Sequence, residues 1–385
     1  MHPLCCAIFF CIFASAQAAP NDLVRLIRTP DKGLQPQVVV DSRGNVHLVY
    51  LKGDPKACDV FYAQRSRGQT NFSAPIKVNT EPGSAIAIGT VRGAQLAIGR
   101  DGWVHVVWNG SQPARDPGAK GAPMLYARMR YLAHGFEPER NLMTSTMNLD
   151  GGGSVAADPF GDVYVVWHAH SRTGPDDESH RAVYVASSSD DGKTFKPEAA
   201  VHSAEGVCGC CGLKAFADSH GHLAVLYRAA DESANRDSVL LLSRDHGRSF
   251  DAARLGAWRS PTCPMSTPAL GNGPGKGLLA MWETQGQVYR RVLEPEHFDA
   301  EGTAVAADKN PGNRKHPVFA FDSDKGSRLL MAWVEGTGWE KGGSLAWEWI
   351  DTKTGATRAG SQPGVPVWGL ATVAPDSDGG FTIYY

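Results

Sequence analysis

An excess of charge of either sign is missing: 38 Lys and Arg stand against 40 Asp and Glu, a formal net charge of -2. A nucleic acid or an anionic membrane as partner would need a basic excess, so neither is expected. Long hydrophobic runs are also missing. The 385 residues hold one apolar stretch, 4–13, too short for a permanent membrane anchor, and no later segment approaches the required length. Lys and Arg are absent from the opening MHPLCCAIFFCIFASAQAAP, which otherwise has the form of a secretory signal, with small residues at Ala14, Ala16 and Ala18. Residues 1–19 are therefore expected to be removed. That leaves 20–385 as one periplasmic or secreted domain with no integral membrane segment, expected as a monomer.

Cysteine is scarce. Of eight, Cys5, Cys6 and Cys11 leave with the signal, so Cys58, Cys208, Cys210, Cys211 and Cys263 remain. Five thiols in an oxidising compartment cannot all pair within one chain. At least one is free, metal-bound or paired elsewhere.

Turn residues are plentiful: 43 Gly and 24 Pro, with aromatic and β-branched residues in short runs, favour an all-β chain. The octet SSDDGKTF at 188–195 has a geometric reason for each residue type. Asp190 can accept backbone N–H bonds, Gly192 can take the positive φ that closes the turn, and Ser188 and Thr194 add local side-chain bonds. Phe195 is then expected to start a strand and pack inward. The octet returns as SRDHGRSF at 243–250, with Ser243, Asp245, Gly247, Ser249 and Phe250 in matching places. Two copies of one turn imply a repeated unit. The pattern resembles the Asp-box, or BNR repeat, of the sialidase-like β-propellers. That resemblance implies four-stranded antiparallel blades, with the octet joining third and fourth strands on the face opposite the binding site.

A second signal recurs more often: an apolar strand, a turn with Gly, then an alternating strand that usually ends in an aromatic. It stands at 38–50, 96–108, 155–167 and 215–227, and more loosely at 269–282, 319–333 and 370–385. A spacing of about 50 to 60 residues suits one four-stranded blade with its loops. The last hairpin runs into Tyr385, while 23–29 is an orphan strand before the first. Joining these two closes a ring of seven blades. Sialidases have six, so seven departs from the resemblance; six is recovered if 370–385 is an appended ribbon.

The resemblance puts the loops entering each first strand, and those after each second strand, on the upper face. VCGCCG (207–212) enters the fourth blade and TCPM (262–265) the fifth, so Cys208, Cys210, Cys211, Cys263 and Met265 are expected side by side at the channel rim. His168 and His170, after the second strand of the third blade, could join them. Thiolate, thioether and imidazole suit Cu(I) or Zn(II). The residues leave three readings open: a metal site, a disulfide such as one from Cys263 to the triplet, and a redox-active thiol pair. His168 and His170 could equally be solvated loop residues, and Lys214 and Arg228 simple rim charges. A further resemblance is to exported bacterial sialidase-like propellers with Cys-x-Cys-Cys before one blade and Cys-Pro-x-Ser before the next, as CGCC and CPMS stand here.

Sialidase chemistry itself needs three arginines on a carboxylate, a Tyr activated by Glu, and an Asp acid/base. Where the resemblance calls for Arg-Ile-Pro the chain has Leu34-Gln35-Pro36. Arg92, Arg181, Arg228 and Arg259 are scattered, and Tyr384 and Tyr385 end the chain. Glu283 and Glu335 could make a carboxylate pair. The reading carried forward is an exported propeller that binds a soft metal, a protein or a glycan on its upper face. An exo-acting, sialidase-like glycoside hydrolase and a structural interaction platform are the alternatives.

Overall fold

The computed structural model describes residues 23–115, 121–202, 205–231, 234–298, 302–307, 312–322 and 326–385; the expected signal, 1–19, lies outside them. Seven β-sheets follow one another along the chain, and helix among the described residues is limited to three-residue 3-10 turns. No helix among them is long and apolar enough to cross a membrane. Blades 1 to 6 span 34–77, 95–141, 146–202, 206–256, 269–306 and 314–365, each an antiparallel meander running outward from the channel. Blade 7 combines the hairpin Thr372–Pro375 and Phe381–Tyr384 with Val24–Ile27. First strands touch from each blade to the next, and that of blade 7 touches that of blade 1, so the ring closes at seven.

The closing strand departs from the repeat. Val24–Ile27 lies where a third strand would be, but it runs parallel to Phe381–Tyr384, with Val24 opposite Phe381 and Ile27 opposite Tyr384. Blade 7 has three strands, the other six at least four. The joint is locked beyond the ladder by Thr29 N–H to Tyr385 O at 2.9 Å and Tyr385 N–H to Ile27 O at 3.1 Å.

Second strands such as Val104–Asn109 and Leu223–Ala230 are buried at every position. A sheet sandwiched between two others has no solvent face, so its central strand is mostly apolar on both sides and its polar members, such as His105 and Arg228, are hydrogen-bonded. Seven apolar clusters fill the seven seams; Trp108, Trp167, Trp282 and Trp333, the aromatics that end the hairpins, each plug one.

Both Asp-boxes join third to fourth strands. Asp190 Oδ1 accepts from Thr194 N–H (2.8 Å) and the Ser188 hydroxyl (2.7 Å), and its Oδ2 from the Thr194 hydroxyl (2.7 Å). Asp245 repeats these bonds with Ser249 and Ser243. Gly192 has φ 74°, and a Cβ there would lie 1.9 Å from Tyr126 Oη, so the turn needs glycine for conformation and for room. Phe195 packs edge-on against Tyr126 at 4.8 Å, but the fourth strand begins only at Ala199. The aromatic anchors the turn before the strand starts.

Candidate metal centre

The Cys-rich loop begins as Gly206–Val207, which pairs with the end of the second strand of blade 4. Cys208 N–H donates to Arg228 O at 3.0 Å, and Cys211 N–H turns back to Cys208 O at 3.3 Å, folding three thiols inward. Cys208 Sγ lies 3.4 Å from Cys210 Sγ and 3.5 Å from Cys211 Sγ. All three sulphurs fall within 4.8 Å of one another. Thiolates on a tetrahedral Zn(II), at a Zn–S length of about 2.3 Å, stand about 3.8 Å apart, so little movement separates this cluster from a chelate.

The blade 5 loop is stitched alongside by Gly212 N–H to Ser266 O at 3.1 Å. It brings exposed Cys263 close enough for the Cys208 and Cys210 thiols to stabilise its thiolate, which lowers its pKa to about 6. Burial pushes Cys211 up, but the Cys208 and Cys210 thiols, the Arg228 charge and the Ser266 N–H outweigh it and hold that thiol well below its ordinary value. Cys208 is raised by bonding to the other three thiols. Within the cluster Cys208 and Cys210 are raised while Cys211 and Cys263 are lowered, so the last two thiols give up their protons most readily to a soft cation.

Three arginines surround the thiols. A Cβ on Gly209 would lie 3.2 Å from Arg181 Nε, the Arg236 charge is felt by Cys208, Cys210 and Cys263, and that of Arg228 by Cys211. Arg228 is fixed by Arg236 O (2.8 Å) and Glu283 Oε2 (3.4 Å). Nothing in the spacing of Arg181, Arg228 and Arg236 marks them as a group; they meet because blades 3 and 4 are neighbours.

The other candidates take different places. His168 is buried, with Nε2 2.8 Å from the Cys211 carbonyl, so that nitrogen fixes the loop backbone while Nδ1 has no partner. Burial lowers its pKa to about 4. His170 Nε2 lies 2.8 Å from Asp177 O, and its Nδ1 lies 3.0 Å from Asp176 Oδ1. Met265 follows Pro264 at φ 47°, half-buried. Cys58 is remote, in the seam of blades 1 and 2, with Sγ 3.0 Å from Asp54 O and its thiol pushed up to about 12 by burial. The odd thiol of the five is this one. The remaining four gather at one place, all free.

No protein-family model matches the chain, and no curated protein matches it by sequence. Solved structures match along most of its length. A protein of unknown function from Dyadobacter fermentans aligns over 88% of this chain and 96% of its own at 15% identity, TM-score 0.54. The alpha-L-arabinanase of Penicillium chrysogenum, solved with arabinobiose, aligns over 86% and 96% at 13% identity, TM-score 0.57. The NanB sialidase of Streptococcus pneumoniae aligns over 82% and 68% at 7% identity, TM-score 0.55.

The chain has a sialidase-like propeller fold. In this sialidase-like propeller Leu34 stands in place of the motif arginine, and the next residue, Gln35, is buried, with its Nε2 donating to the carbonyls of Ala87 (2.7 Å), Gly89 and Trp368 (both 3.1 Å). Gln35 ties loops together, and the position that the hydrolase resemblance gives to a cation holds an apolar Leu34. Arg92 is likewise held by Asp150 O and Ile88 O, each at 2.7 Å. Tyr384 is buried, and the Tyr385 ring lies under Arg28 at 4.0 Å. Glu335 binds Arg314 at 2.9 Å. Lys214 points into the central channel, a cavity of about 390 Å³, with Nζ 2.8 Å from Gln95 Oε1 and its pKa lowered to about 8 by burial.

Proposed function

We propose that this is an exported propeller whose upper face holds a soft metal ion, Cu(I) or Zn(II), on Cys208, Cys210, Cys211 and Cys263. The observation that carries the reading is the packing of three thiols within 4.8 Å, beside a fourth and among arginines that favour thiolates. Anaerobically purified protein is expected to hold close to one equivalent of copper or zinc by elemental analysis, and Cys210→Ser to release it. If the thiols are instead bridged, titration of the unfolded, unreduced protein finds only Cys58 reactive. Three or more free thiols with no metal retained would leave the redox reading.

One observation favours a hydrolase as the second reading. Glu283, buried beside the same site, has its pKa raised by burial, as a general acid requires. Some structural neighbours are named as an arabinanase and a sialidase. Release of sugar from arabino-oligosaccharides or sialyl conjugates, abolished in Glu283→Gln, would establish it; inactive wild-type protein would remove it.

A further inference from the structure

On the lower face, the turns joining first to second strands in blades 1, 3 and 4 are each built around an Asp whose Oδ1 accepts two backbone N–H groups. In blade 1, Asp41 Oδ1 accepts backbone N–H from Arg43 (2.9 Å) and Asn45 (2.8 Å), and Asn45 Nδ2 donates to Oδ2 at 2.9 Å. In blade 4, Asp218 Oδ1 accepts from His220 (2.8 Å) and His222 (2.9 Å), and His222 Nδ1 faces Oδ2 at 2.8 Å. Asp376 of blade 7 is met on Oδ2 by Arg25 (3.0 Å) and the Thr382 hydroxyl (2.7 Å). A donor faces the second carboxylate oxygen each time.

Blade 3 breaks this design. Asp158 Oδ1 accepts from Phe160 (2.9 Å) and Asp162 (3.0 Å) as usual, but the residue four places on is Asp162, which has no proton to donate. Asp158 Oδ2 has no hydrogen-bond partner although its side chain is fully buried. His246, from the Asp-box of blade 4, reaches across the seam. Its Nδ1 lies 2.9 Å from Asp162 Oδ2 and 3.9 Å from Asp158 Oδ2, and the three groups fall within 4.8 Å of one another. Arg100 is close enough for its charge to act on Asp158, but it donates to Asp191 and the Phe160 carbonyl and to neither facing carboxylate. Two facing carboxylates, one of them dry, need either a cation or a shared proton between them.

We propose that Asp158, Asp162 and His246 form a second metal site, on the lower face at the seam of blades 3 and 4, for a divalent cation of the Mn2+ or Zn2+ type. Ligands about 2.1 Å from such an ion and at right angles to one another stand about 3 Å apart, close to the shorter separation here. The His246 side chain is 40% exposed, which leaves the ion an entry path and open positions for water. The site lies on the face opposite the thiols and fastens two blades, so its role is structural.

Mn2+ is the probe, because it pairs poorly with thiolates and leaves the upper face unfilled. Chelator-treated, reduced full-length protein is titrated while free Mn2+ is followed by electron paramagnetic resonance, with melting curves in parallel. One equivalent is expected to bind and to raise the melting temperature. Asp162→Asn supplies the donor found in blade 1, so it should lower Mn2+ affinity at least tenfold while raising the melting temperature of the metal-free protein. His246→Gly, suited to the φ of 59° there, should lower affinity by a similar factor and serves if the first variant does not fold. Unchanged affinity in the variants that fold would overturn the proposal. So would an absence of Mn2+ binding by the wild-type protein; a stability that then rises as pH falls would point to two carboxyls sharing a proton instead.

Discussion

Cys58 and Cys263 show how far surroundings set the chemistry of one side chain. Burial without a cationic neighbour pushes the first up to about 12, while neighbouring thiols bring exposed Cys263 down to about 6. In reduced, metal-free protein at pH 7, iodoacetamide is expected to alkylate Cys263 fastest and Cys58 only after unfolding, as read by peptide mass spectrometry. Equal rates at both would contradict the environments described. His105 makes the parallel case for a base. It is buried, with Nδ1 2.8 Å from Tyr126 Oη, and burial lowers its pKa to about 3. The unfolded chain then binds the proton more tightly than the folded one, so the stability His105 contributes is complete above about pH 6.5 and is lost as pH falls below it. Melting temperature should drop from pH 7 to 4.5, and less steeply in His105→Gln; equal slopes would assign the drop to other groups.

At the level of the element, the Asp-box turn is self-contained. Asp190 is pushed up by burial, but the N–H and hydroxyl of Thr194 and the Ser188 hydroxyl pull its pKa down to about 2. Asp190→Ala and Asp245→Ala each strand turn donors, at a cost of about 1–3 kcal/mol where those donors are dry. The loss is expected in thermal melts with metal content unchanged, since these turns and the thiols lie at opposite ends of the strands. Metal lost at unchanged stability would show a coupling that the geometry does not contain. The turn was legible because its bonds fall within eight residues. The fourth strand was placed too early because Phe195 could be assigned to the strand or to the turn until its partner, Tyr126 of blade 2, was known.

The molecule as a whole depends on one short joint. Val24–Ile27 supplies the last ladder of blade 7 and packs Val24 and Leu26 against the apolar seam next to blade 6. Deleting 23–29 removes that ladder and bares the edge of Phe381–Tyr384, a template for pairing with other chains. The truncated protein should aggregate on light scattering at concentrations where the full chain stays dispersed; a monodisperse truncation would mean that the ring closes without its strand.

The repeat, the number of hairpins and the pairing of the two chain ends follow from the sequence alone, because alternation, turn glycines and Asp-box bonds act over a few residues. The nearness of CGCC to CPMS also follows, once consecutive blades are adjacent. The parallel run of the closing strand does not, since an orphan strand can complete a sheet in either direction. Nor does the exclusion of Cys58, the ring of Arg181, Arg228 and Arg236 about the thiols, or the meeting of His246 with Asp158 and Asp162. Those depend on which side chains face each other across a seam, and that is decided only when sheets distant in sequence stack and squeeze out the water between them.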